Sequence, residues 1–159
     1  MEMAVETEKN GRRFYEAVAG RTQDAKLKDL FGFLAEEESR HITTFQSIAR
    51  ALKEKPEDLA YDWQEAARYL DAVVESKYFL GTGKALPLIE ECRTPADALN
   101  HAIGFEKETL LFYSEILEMV SASVKPVVRK LITEEQSHVA KLSEARKALG
   151  SGLEPEEQK

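Results

Sequence analysis

The sequence predicts an all-α protein: an antiparallel four-helix bundle with one long crossover connection that contains an extra helix. Three observations carry this. Two Glu-x-x-His words, Glu38-Ser39-Arg40-His41 and Glu135-Gln136-Ser137-His138, each sit inside an otherwise apolar stripe with helical spacing. Two further stripes each carry one lone glutamate with a tyrosine seven residues on, at Glu8/Tyr15 and Glu106/Tyr113. The halves of the chain also repeat each other: 98 residues separate Glu8 from Glu106, and 97 separate both Glu38 from Glu135 and His41 from His138.

The first helix spans about residues 2–20, with Ala4, Glu8, Gly11, Tyr15 and Val18 on one face and Gly20 near its end. Thr22 is placed to cap the second helix, about 23–53, with Asp24 in its first turn. Its inward face reads Leu27, Leu30, Leu34, Glu38, His41, Phe45, Ile48 and Leu52, and Lys55-Pro56 ends it. Residues 57–93 connect the halves. Trp63 to Tyr78 has helical spacing there, punctuated by Gly81-Thr82-Gly83 and Pro87; Trp63, Tyr69 and Tyr78 are expected to pack against the bundle or a subunit partner.

Thr94-Pro95-Ala96-Asp97 starts the third helix, which runs to about Ser121 with Leu99, Ala102, Glu106, Thr109, Tyr113, Ile116 and Val120 inward. The fourth runs from about Val124 to Leu149. Val128, Leu131, Glu135, His138, Leu142 and Ala145 face in, Pro126 falls in the first turn, and Gly150 is the expected stop. The tail 150–159 is polar and expected to fray. The expectation is one domain over 1–159: helix pair 2–53, crossover 54–94, helix pair 95–149. A connection this long rules out simple up-down-up-down order.

Composition narrows the function. The formal charge of −7 argues against a nucleic-acid surface, which needs clustered Lys/Arg. No uncharged apolar run approaches the ~18–20 residues that span a bilayer, and the acidic start Met1-Glu2-Met3-Ala4-Val5-Glu6 is unlike a signal peptide, so the expected location is cytoplasmic. Cys92 is the one cysteine, which leaves no intrachain disulfide and no iron–sulfur cluster.

A carboxylate on a core stripe must be neutralised, paired or bound to metal. Glu8, Glu38, His41, Glu106, Glu135 and His138 are therefore the candidate metal ligands. Four glutamates balance two divalent ions while both imidazoles stay neutral. A ligand set without thiolate favours iron or manganese, with zinc able to bind in vitro. Six ligands leave open positions on two ions, which points to dioxygen or peroxide chemistry. Tyr15 and Tyr113 are expected to pack and to bond a ligand carboxylate through the hydroxyl. Glu36, Glu37 and Glu134 read as solvated charge. Asn10, Asn100 and His101 are not assigned to the site.

Glu8-Lys9-Asn10-Gly11-Arg12-Arg13-Phe14-Tyr15, Ala35-Glu36-Glu37-Glu38-Ser39-Arg40-His41, Phe105-Glu106 through Phe112-Tyr113, and Glu134-Glu135-Gln136-Ser137-His138 resemble the rubrerythrin branch of the ferritin-like superfamily over roughly residues 2–149. The resemblance implies two iron ions on the six residues named above. It also implies a peroxide reductase of oxidative-stress defence, in which a di-ferrous site reduces hydrogen peroxide to water. This sequence carries no cysteine pairs of a rubredoxin module, so the expected reductant is a separate electron-donor protein. Thr109 stands where the family has a further ligand. The six ligands also resemble those of bacterioferritins, which gives iron oxidation and storage as an alternative; a non-enzymatic metal-binding helical protein is another. A homodimer is expected, because the family often pairs or exchanges helices and residues 57–93 are a natural place for exchange.

Overall fold

In the computed structural model, residues 1–54 and 89–151 are described, and they form four long helices: α1 (Glu2–Arg21), α2 (Ala25–Glu54), α3 (Pro95–Met119) and α4 (Lys125–Ser151). α1 packs chiefly on α2 and α3 on α4, with α1 also touching α3 and α2 touching α4. Short turns make each sequential pair an antiparallel hairpin. The crossover helix expected at Trp63 to Tyr78 lies outside the described residues, and so does the tail beyond 151. Among the described residues no helix is long and apolar enough to cross a membrane.

Local chemistry explains the ends. Thr94 Oγ1 accepts from the Asp97 amide at 3.1 Å and the Asp97 carboxylate accepts from the Thr94 amide at 2.8 Å, so the start of α3 is a reciprocal capping box. The start of α2 differs from expectation. Asp24 Oδ1, not Thr22, accepts the free amide of Leu27, at 3.0 Å. Thr22 closes α1 through its own amide to Val18 O and accepts from the Asp24 amide at 3.3 Å. A carboxylate one residue before the helix serves the positive helix end better than a hydroxyl three residues away. Gly150 does not stop α4, which runs on to Ser151; a glycine ends a helix only where the chain turns left-handed.

The four predicted stripes are the core. Of their members only Leu30 and Ala145 keep partial exposure. The apolar residues fall into two clusters. One joins Phe14, Tyr15 and Val18 of α1 to Leu27 and Phe31 of α2, Leu99 and Phe105 of α3, and Leu142 of α4. The other joins Ala4, Phe45, Ile48 and Leu52 to Phe112, Ile116, Val128 and Leu131. The first holds the end of α1, the start of α2, the start of α3 and the end of α4. The order is therefore up, down, down, up. α2 finishes at one end of the bundle and α3 begins at the other, which is the arrangement of a single crossover. Between the two apolar clusters lies a layer of charge.

Candidate metal centre

Glu8, Glu38, His41, Glu106, Glu135 and His138 all meet in that layer, each at most 2% exposed. Each helix delivers its members for a simple reason. Glu38 and His41 on α2, like Glu135 and His138 on α4, are three residues apart and share one helix face. Glu8 and Glu106 stand midway along α1 and α3, level with them. A backbone that comes this close needs a small residue. At Gly11 an added Cβ would lie 2.7 Å from Phe105 Cζ and 3.3 Å from Glu38 Cδ. Glycine there makes room for both the aromatic ring and the carboxylate.

The donor atoms form two groups, each with its atoms within 4.8 Å of one another: Glu8, Glu38, His41 and Glu135 in one, and Glu38, Glu106, Glu135 and His138 in the other. Each group has its own imidazole and its own glutamate. Glu38 and Glu135 belong to both. His41 Nδ1 is 2.8 Å from Glu135, 3.3 Å from Glu8 and 3.7 Å from Glu38. His138 Nδ1 is 2.8 Å from Glu135 Oε2 and 3.5 Å from Glu106. The two imidazole rings stack with centroids 5.7 Å apart.

The electrostatics are those of a site short of positive charge. Burial raises the carboxyl of Glu38 well above its ordinary value, and the charge of Glu8 pushes the same way. Burial likewise raises Glu8, against the opposing contacts of Glu38 and His41. Glu106 is pushed up to about 8 by burial and by Glu135. Burial alone would lower both imidazoles. Their carboxylate contacts outweigh it, raising His41 through Glu135, Glu38 and Glu8, and raising His138 to about 10 through Glu106 and Glu135. Glu135 is the exception: burial and Glu38 raise it, but His138 and His41 win and lower it. Protons thus gather where cations would otherwise sit. Both oxygens of Glu8, both of Glu38 and Oε2 of Glu106 make no well-aligned hydrogen bond. Buried carboxylate oxygens in that condition are what metal ligation requires, and the donor chemistry fits a pair of hard-to-intermediate divalent ions.

Neighbouring side chains complete the layer. Tyr15 Oη donates to Glu106 Oε1 at 2.5 Å. Burial and the charge of Glu106 raise the phenol well above its ordinary value, so it remains a donor. The Tyr113 hydroxyl, expected to act likewise, has no partner. Sequence reading also missed two acids. Glu37 is only 8% exposed and pairs with Arg40, and is not a solvated charge. Glu134 is turned so that its Oε2 lies 3.4 Å from His41 Nε2 while its Oε1 lies 3.4 Å from Lys130. Each is next to a site glutamate in sequence, so helical spacing alone placed it off the inward face. Glu134 reaches the neighbouring helix, which spacing along one helix does not report, whereas Glu37 reaches Arg40 one turn on along its own helix. Asn10 takes Arg13 at 3.2 Å, Asn100 takes Arg146, and His101 Nε2 is 3.7 Å from Glu91.

The architecture and the site define a class: a ferritin-like four-helix bundle whose midpoint is a carboxylate–imidazole centre suited to metal. The family model of rubrerythrin matches residues 1–84, more than half of the 159 residues. The chain belongs to the rubrerythrin family. The fold is similar to the crystal structure of a candidate ferritin-like diiron-carboxylate protein from Thermotoga maritima, at 22% identity and a TM-score of 0.64, over 92% of this chain and 91% of that one. No curated protein matches the chain.

Proposed function

We propose that this chain holds two iron ions and reduces hydrogen peroxide with them. Glu8 and His41 would hold one ion, Glu106 and His138 the other, and Glu38 and Glu135, which belong to both donor groups, would serve either. The observation that carries this reading is the overlap of the two donor groups at those two glutamates. A single-ion site would need no shared carboxylates.

The chemistry such a ferrous pair would supply when bound is two electrons, with which hydrogen peroxide and two protons would give two waters. The chain's own residues do the rest. The apolar clusters above and below exclude bulk water. Tyr15 fixes one oxygen of Glu106 and leaves the other free. Glu134 faces Nε2 of His41, which favours the tautomer with its proton at Nε2 and its lone pair at Nδ1, toward Glu8, Glu38 and Glu135. Electrons come from a separate donor protein, and the working unit is a homodimer. Dioxygen is the second oxidant the open positions would accept.

Anaerobic loading with ferrous iron, followed by peroxide, tests this. The expected result is about two iron per chain, stoichiometric oxidation by peroxide, and turnover once a reductant is supplied. A chain that takes up no iron, or whose iron ignores peroxide, ends the proposal. Sedimentation separates the storage alternative, since storage needs a hollow multisubunit shell.

A further inference from the structure

We propose that Thr109 and Tyr113 form a subsite on α3 that holds a water-sized oxygen ligand, peroxide in the reaction above, beside the metal pair. The inference rests on the metal reading and assigns the place where its substrate sits.

Thr109 follows Glu106 by three residues and precedes Tyr113 by four, so all three line one face of α3. Thr109 and Tyr113 are both fully buried. Neither hydroxyl has a partner. For Thr109 this is a departure from the chain's own habit. Thr7, equally buried, donates to the carbonyl of Met3 one turn back. Ser39, Thr44 and Thr133 do the same along α2 and α4. Thr109 does not bond its preceding turn, so its hydroxyl is spent on nothing in the helix. A buried hydroxyl left unpaired bears the full cost of its desolvation, and two of them a turn apart mark a place where a polar group belongs.

The internal repeat shows that the subsite is one-sided. The position equivalent to Thr109 in the first half is Gly11, where even a Cβ would collide with Phe105 and crowd Glu38. The position equivalent to Tyr113 is Tyr15, whose hydroxyl is already committed to Glu106. The α1 side is closed by packing and by that hydrogen bond. The α3 side offers two hydroxyls, each able to donate and accept. That combination suits a small ligand that also does both, such as peroxide, hydroxide or water.

Azide serves as the probe, binding to the iron-loaded, oxidised protein and followed by its optical absorption. Thr109→Val and Tyr113→Phe are each expected to weaken azide ~10-fold, the loss of one hydrogen bond to a charged ligand, with iron content unchanged. Thr109→Ser, which restores the hydroxyl, should recover the affinity. Iron content and circular dichroism on every variant confirm that site and fold are intact. Azide binding that is the same in wild type, Thr109→Val and Tyr113→Phe overturns the subsite, as does an iron-loaded wild type that binds no azide. A wild type that takes up no iron removes the metal reading itself, a failure the iron count reads separately.

Discussion

Tyr15 Oη donates to Glu106 Oε1 across 91 positions of sequence, at 2.5 Å, while Tyr113, its mate in the repeat, has a hydroxyl with no partner. The two rings are equally buried, so removing each hydroxyl isolates the hydrogen bond from the packing. Tyr15→Phe should cost the metal-free protein about 1–2 kcal/mol, because the Glu106 oxygen it serves is left unpaired in the core. Tyr113→Phe should leave the metal-free protein no less stable and gain up to about 1–3 kcal/mol, since it removes an unpaired buried hydroxyl and leaves nothing behind. Parallel denaturant titrations decide it. Equal losses in the two variants would contradict the asymmetry.

The same comparison can be made with glycines. Gly11→Ala places a methyl 2.7 Å from Phe105 Cζ and 2.9 Å from its Cε1, on a ring that is itself buried and edge-on to Tyr15. The ring has nowhere to go, so overpacking of about 1–3 kcal/mol should exceed the ~1 kcal/mol that alanine gains over glycine in a helix. Gly32→Ala, on α2 with nothing near its Cβ, should show the gain alone. Thermal midpoints of opposite sign are expected. In Gly11→Ala the crowded Glu38 should also weaken iron uptake, measured as iron per chain.

The charge layer makes the metal-free protein sensitive to alkali. Glu106 at about 8 and His138 at about 10 bind protons more tightly folded than unfolded, where their ordinary values are 4.5 and 6.5. The stability each contributes is complete below its unfolded value and is lost as pH climbs to its folded value. Both losses overlap between 6.5 and about 8. Glu135, whose pKa is lowered, acts oppositely, but its contribution is lost only as pH falls below the neutral range. Melting temperature in a chelator should therefore drop steadily from pH 6 to pH 9. A flat or rising profile would mean the layer does not trap protons. Iron uptake near neutrality should release protons to the buffer for the same reason.

Much of this was written in the sequence, because the relevant physics is local or periodic. Four inward stripes, the capping box at Thr94 and Asp97, and the six site residues all follow from spacing of three and four, and the repeat put the two halves in register. What spacing does not carry is cross-helix geometry. Glu134 sits off the stripe of its own helix and still reaches His41 on another. Glu38 and Glu135 belong to both donor groups, whereas Glu8 and Glu106 belong to one each, and only the relative heights of four helices determine that. Asp24 displaced Thr22 as a cap because helix ends shift by a residue or two without any change in apolar pattern. The broken symmetry of the two tyrosines depends on which hydroxyl finds an acceptor, an outcome that one-dimensional likeness between Glu8/Tyr15 and Glu106/Tyr113 conceals.

The sharing of Glu38 and Glu135 gives a test that counts ions. Glu8→Ala removes a donor from one group alone, so iron per chain should fall from about two toward one, with the Glu106 and His138 position still filled. Glu38→Ala removes a donor from both groups and should bring occupancy well below one. His138→Ala should resemble Glu8→Ala. The fold should survive all three, because the apolar clusters on either side remain. Glu38→Ala should even raise the melting temperature of the metal-free form, since Glu38 is held well above its ordinary pKa by burial and by Glu8. Metal analysis beside circular dichroism reads both quantities on one sample. If Glu8→Ala and Glu38→Ala empty the site to the same extent, the carboxylates do not divide into shared and single-ion ligands, and the two-ion arrangement loses its main support.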